Sequence, residues 1–241
     1  MSVVCGRVMA MQLPSEPTGQ FDGDGFSDPK LRVLYDNSSG PIAFIDESYR
    51  APSQALEGNA FYILTAVVIA RPRIVAVRDR LLEIANGTKW HTTEVARVDG
   101  GRAAIVRMTE YLASCSTSIV AYRAGIPATD RFAEQARALC FRSLLTDLCV
   151  CGTLALNGAV VYERRRDTSQ LQADGRTISG LRRANGIHRA LAVHPGSPAS
   201  EFLLVAPDAV AWSTRQLTAT NDKRFLEPLS RTSAIRIVNV R

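Results

Sequence analysis

Apolar positions along the chain form short continuous runs and helical repeats that follow one another. "PIAFIDES" (41–48) is an apolar run of strand length, and "NAFYILTAVVIA" (59–70) is a second, rich in β-branched and aromatic residues and long enough for a fully buried strand. "YRAPSQALEGN" between them supplies turn residues, so the two strands are predicted to pair. From Arg71 to Ile84 the apolar residues Ile74, Val77, Leu81 and Ile84 recur three or four apart, which predicts a helix with one buried face, stopped at Asn86-Gly87. Ile105, Met108 and Leu112 carry a second helical signal after a break at Gly100-Gly101. "TSIVAYRAG" reads as a strand, and "DRFAEQARALCFRSLLTDLCVCG" as a long amphipathic helix capped by Thr129 or Asp130 and stopped at Gly152. "GAVVYERRRD" is a short strand ending in charge. Segment 164–200 is polar and arginine-rich, a loop and a surface helix. "EFLLVAPDAVAWSTRQ" is apolar with an acid in its middle, and "SAIRIVNVR" is a closing strand. Strands alternating with helices define an α/β layer fold. Residues 1–30, rich in Pro, Gly, Ser and Asp, read as a flexible leader before one domain over 31–241.

Composition narrows the class. With 241 residues and 46% apolar content the chain can bury the core of one large domain. A formal charge of +6 favours polyanionic partners. Cys5, Cys115, Cys140, Cys149 and Cys151 are an odd set scattered through apolar segments, as in reduced cytoplasmic proteins, and Cys149-Val-Cys151 lacks the spacing of a zinc site. No apolar run reaches the length of a membrane span. Neither a phosphate-binding Gly-rich loop with Lys-Ser/Thr, nor a Gly-x-Gly-x-x-Gly turn, nor a Gly-x-Ser-x-Gly elbow occurs, which excludes the common nucleotide-binding and serine-hydrolase sites.

The candidate chemistry lies in acids at unexpected places. Asp46 and Glu47 end an apolar strand abruptly, either as its solvated tip or as part of a metal-binding cluster. Strand alternation puts Asp46 on the side of Phe44 and Glu47 on the side of Ile45, so at least one of them leaves an apolar face and needs a partner. Asp208 shares a helical face with Leu204, Val205, Ala211 and Trp212. If the helix starts at Pro207, Asp208 sits instead in a first turn, where the helix dipole accepts a negative charge. Glu163 follows "AVVY" as Asp46 follows "IAFI", either as a ligand or as an ion-pair partner of Arg164, Arg165 and Arg166. Glu94 lies three residues after His91, on one face of a helix start or in a capping box with Thr92 or Thr93.

In order along the chain, "FIDES", "FYILTAVVI", "WHTTE", "VVYE" and "LLVAPDAVAW" resemble the family called domain of unknown function 3800, whose members look like divergent ribonuclease H-like proteins. The resemblance covers roughly 38–218. The chain departs from it at Tyr49, where members carry Gly, and at Val205 and Pro207, where they carry Gln and Ala before the last Asp. These departures bear on the geometry around Asp208 more than on the fold.

The resemblance implies a ribonuclease H-like mixed central sheet flanked by helices, with Asp46, Glu94, Glu163 and Asp208 converging as metal ligands and His91 acting as proton shuttle or substrate contact. Carboxylates are hard oxygen ligands suited to Mg²⁺ or Mn²⁺, and a pair of such ions activates water for phosphodiester displacement. Arginines 164, 165, 166, 176, 182, 183 and 189 crowd the segment after Glu163, where a nucleic-acid backbone would run, with Arg164, Arg165, Arg166, Arg182 and Arg183 as candidate contacts. The expected function is divalent-metal-dependent phosphodiester hydrolysis of nucleic acid. The alternatives are a non-catalytic ribonuclease H-like module that binds nucleic acid or protein, as in a defence or mobile-element system, and a hydrolase of a small phosphorylated molecule.

Overall fold

The computed structural model describes residues 28–55, 59–87 and 89–241. Six strands, β1 (Ile42–Arg50), β2 (Phe61–Ile69), β3 (Thr117–Ala124), β4 (Ala159–Glu163), β5 (Ala192–Gly196) and β6 (Ile235–Asn239), form one mixed sheet in the order β5-β4-β1-β2-β3-β6. β2 runs antiparallel to both β1 and β3, whereas the pairs β1–β4, β4–β5 and β3–β6 are parallel. All of β2 is buried, as its unbroken apolar run predicts for a strand covered on both faces.

Helices cover both faces of the sheet. One core joins Ile42 and Phe44 of β1 to α1 (Pro29–Asn37), α2 (Ile74–Ala85), α4 (Gly101–Cys115) and α7 (Val205–Thr220). The other joins Ala43 and Ile45 to α5 (Glu134–Val150) and α6 (Thr168–Arg183). Two short helices, α3 (Thr92–Val95) and α8 (Glu227–Arg231), complete the set. The buried residues of α2 are Ile74, Val77, Leu81 and Ile84, the face read from the sequence, and Asn86 ends the helix in the left-handed conformation at φ 54°. Asp130 lies outside α5 yet accepts hydrogen bonds from the amides of Gln135 and Ala136, so its capping role survives at a distance.

Three elements are new relative to the sequence reading. α1 opens with Asp28 as N-cap and Pro29 at its first position, so its first turn takes in two residues expected in the leader; the remainder of that segment, 1–27, lies outside the described residues. β5 carries the sequence AVHPG on the sheet edge, where a proline is tolerated because no outer strand needs its amide. α8 is a short turn before β6.

The approach to α7 is fixed by a buried carboxylate. Glu201 is 1% exposed, accepts a 2.5 Å hydrogen bond from Tyr35 of α1 and 3.0–3.1 Å bonds from Arg78 of α2, and takes the amide of Leu203 at 3.0 Å. The chain then enters α7 through a 3₁₀ turn at Phe202–Leu204. This anchoring sets the start of the helix that carries Asp208.

Candidate functional site

Three of the expected acids meet in one cleft. Alternation along β1 keeps Asp46 on the face of Ile42 and Phe44, and alternation along β4 keeps Glu163 on the face of Ala159 and Val161, which is the same face of the sheet. The parallel register, with Ile45 opposite Tyr162, brings Asp46, midway along β1, beside Glu163, the last residue of β4; β1 thus runs on past the acid pair that the sequence put at its tip. α7 packs on β1 and β2 over this face, and Asp208 sits in its first turn. Asp46, Glu163 and Asp208 all line the cleft, together with Glu47, His91, Trp90 and Trp212.

Burial raises all three acids, and neighbouring carboxylates add to it for Asp46 and Glu163. Burial pushes Asp46 well above the ordinary carboxylate range, and the charges of Glu163, Asp208 and Glu47 push it further. Its Oδ1 accepts the amide of Glu47 at 2.7 Å. Burial also raises Glu163, as do the charges of Glu47 and Asp208, opposed by a hydrogen bond with Asp46, so the two carboxyls titrate as a pair. Burial raises Asp208 too, opposed by two donors from one residue: the amide and the hydroxyl of Thr92 reach its Oδ2 at 2.8 and 2.9 Å. The Thr92 hydroxyl in turn accepts from the Trp90 indole at 2.8 Å.

Asp208 therefore has a structural duty. It satisfies an orphan amide at the start of α3 from across the cleft, while Oδ1 makes no hydrogen bond among the described residues. No three Asp, Glu, His or Cys side chains among the described residues are drawn into a group that would hold a metal ion as they stand. The donor chemistry nonetheless fits a hard divalent cation, because three oxygen-bearing acids line one cleft and burial disfavours the ionised form of each.

Glu94 is a correction to the expected ligand set. It is exposed and does not line the cleft. His91 is the N-cap of α3 in extended conformation, φ −141° and ψ 111°, so the helical spacing expected to align His91 with Glu94 does not apply. Thr92 takes the inward position, and two residues further on, about 200° around the helix, Glu94 faces away. His91 itself stays at the cleft, where its charge favours the ionised forms of Glu163 and Asp208.

The arginines divide in the same way. Arg164, Arg165 and Arg166 line the cleft, but Arg165 is spent on Glu134, which it grips through two bonds of 2.6 and 2.7 Å. Arg164 and Arg166 are exposed, and their side chains make no hydrogen bond or ion pair among the described residues. Arg182 and Arg183 are corrected: they end α6, roughly 20 Å along its axis from the cleft, and Arg182 donates to the Leu191 carbonyl at 2.8 Å. Arg215 of α7, absent from the sequence reading, lines the cleft; its position two turns after Asp208 was the available signal.

Glu47 points through the sheet to the opposite face, as alternation predicts, and pairs with Arg137 of α5 at 2.7 Å. Arg137 also binds Asp174 of α6 through two 2.8 Å bonds and the Tyr62 hydroxyl at 2.9 Å. Tyr49 stacks on Tyr62 with ring centres 5.1 Å apart and planes 12° from parallel, which gives its bulky side chain a packing role.

No family model matches the chain, and no curated protein matches it. Among solved structures it is similar to the Q54A mutant protein of Bst-RNase HIII, with a TM-score of 0.46 and 16% identity over 90% of this chain. The chain spans 60% of the length of that protein.

Proposed function

We propose that this protein is a divalent-metal-dependent nuclease with a ribonuclease H-like catalytic arrangement. The observation that carries the reading is the juxtaposition of Asp46, Glu163 and Asp208, three acids from different elements raised together by burial, in a cleft edged by Arg164 and Arg166, which have no acid partner among the described residues. Acids so placed lower stability unless a cation offsets them.

Asp46, Glu163 and Asp208 would hold Mg²⁺ or Mn²⁺, which supplies activation of water and stabilisation of charge on the phosphate and leaving oxygens. The residues of the chain do the rest. Thr92 keeps the Asp208 carboxylate oriented through Oδ2. Arg164 and Arg166 bind the backbone beside the cut bond as a phosphate clamp. His91, at the cleft mouth, carries the proton to or from the reacting oxygens. The test is incubation of purified protein with labelled DNA, RNA and hybrid in Mg²⁺ and in Mn²⁺. Cleavage of at least one substrate is expected, and no cleavage of any in either metal would sink the reading.

One observation favours a second reading, a non-catalytic module: the acids are not preformed into a metal-holding group. Metal titration separates the two. Mn²⁺ near a hundredfold excess over its dissociation constant should stabilise the native state by about 2.7 kcal/mol. For a domain of this size that raises the unfolding midpoint by roughly 5–10 °C. Asp208→Asn is expected to remove most of that shift. An equal shift in wild type and variant would place the metal elsewhere and favour the non-catalytic module.

A further inference from the structure

The cleft has a second basic edge that the segment after Glu163 does not supply. β1 and α7 lie side by side and lead away from the acids together: Asp46 lies close enough to Asp208 to feel its charge, and Arg50 close enough to Arg215. Along α7, Arg215 is seven residues past Asp208, about 10 Å. Along β1, Arg50 is four residues past Asp46 on the same face, about 13 Å. Two elements thus converge on a pair of like charges. Among the described residues Arg215 makes no hydrogen bond or ion pair, and Arg50 has no acid partner and rests its guanidinium 5.4 Å from the centre of the Phe61 ring. Burial, with the charge of Arg50 beside it, holds the Arg215 guanidinium below its ordinary pKa. Two half-buried cations close to one another, with no carboxylate partner among the described residues, form a place where an anion relieves both desolvation and repulsion.

Sheet order places this pair on the opposite flank from the first. Arg164 and Arg166 follow β4, on one side of β1, while Arg50 lies where β1 pairs with Phe61 of β2 on the other. We propose that Arg215 and Arg50 form a phosphate subsite about 10 Å from the acids, so that the substrate is a nucleic-acid chain continuing on both sides of the cut bond. At one charge per 3.4 Å of axis in each strand, that distance is about three nucleotide steps. A mononucleotide or other small phosphorylated molecule could not reach both flanks. The inference rests on the nuclease reading and narrows its substrate to an internal phosphodiester.

The test is fluorescence anisotropy in EDTA, so that nothing is cut, with labelled DNA and RNA from a dinucleotide upward over a range of salt concentrations. Arg215→Gln is expected to weaken binding of long strands roughly tenfold and to reduce the salt slope by about 0.7 to 0.9, the release expected for one phosphate contact. Arg166→Gln should lower the slope independently, and the dinucleotide should not sense Arg215. Arg215→Lys should restore the slope. Arg50→Gln gives the same readout if Arg215→Gln fails to fold. If wild type binds and cuts long strands while both Gln variants keep its slope, the subsite is wrong and the nuclease reading stands. If wild type neither binds nor cuts any nucleic acid, both fall.

Discussion

Asp46→Asn is expected to abolish metal-dependent cleavage and, in the same protein, to raise the thermal stability of the metal-free form at neutral pH. The two effects have one origin. Burial and three neighbouring acids hold the Asp46 carboxyl well above its ordinary value in the folded chain, while the unfolded chain returns it to the usual range. Between those two values the native state binds the extra proton. Stability therefore falls as pH rises through that window, and above it the whole penalty is present. Glu163 and Asp208 are raised as well and act in the same direction. The unfolding midpoint of metal-free wild type should decline from about pH 4 upward, and Asp46→Asn should flatten that profile by removing the group with the strongest shift. A ligand lost from a metal-assisted reaction forfeits several kcal/mol of charge stabilisation, a loss of roughly a thousandfold or more in rate. Paired cleavage assays and thermal scans over pH check both halves. A variant that still cuts, or one that is less stable than wild type at pH 7 without metal, would contradict the assignment.

The positions of these acids were legible because each interrupts an apolar period. Asp46 ends the apolar half of β1 and Glu163 ends β4, alternation assigns both to one sheet face, and the same alternation sends Glu47 to the other. Asp208 was legible as an acid on an apolar helical face, but its hydrogen bonds to Thr92 cross 116 positions of sequence and leave no local trace. Glu94 was misassigned for a related reason: a spacing of three carries helical meaning only inside a helix, and His91 is still extended. The mixed, helix-flanked sheet followed from the order of runs and repeats. The elements missed were those whose stability is tertiary. β5 is a half-buried edge strand with no apolar run of its own, and α1 begins inside a polar stretch whose only signal was Asp28-Pro29. Arg215 was hidden among the polar positions of α7, since a solvated arginine and one turned into a cleft share the same helical period.

Arg137→Ala is expected to produce the largest loss of stability of any single substitution around the cleft, about 3–5 kcal/mol. Arg137 is 3% exposed and serves three oxygen-bearing partners: Asp174, itself nearly as buried, Glu47, and the Tyr62 hydroxyl. Its removal strands two carboxylates and a phenol between the sheet, α5 and α6, and neither carboxylate makes a second ion pair among the described residues. Arg137→Lys should lie between wild type and Ala, since a single ammonium cannot grip Asp174 through two bonds and still reach Glu47. The consequence extends through the sheet. Glu47 adds to the charge that raises Asp46, and Arg137 is what offsets it. Without Arg137 the acids in the cleft face an additional uncompensated carboxylate directly behind them, which favours the protonated form of Asp46 further. At a concentration where the variant remains folded, its metal-dependent activity should therefore need higher pH than wild type. Urea unfolding measures the first effect and a pH profile the second. A change below about 1 kcal/mol, the level of an exposed ion pair, would show that water reaches these carboxylates and that the network does not buttress the cleft.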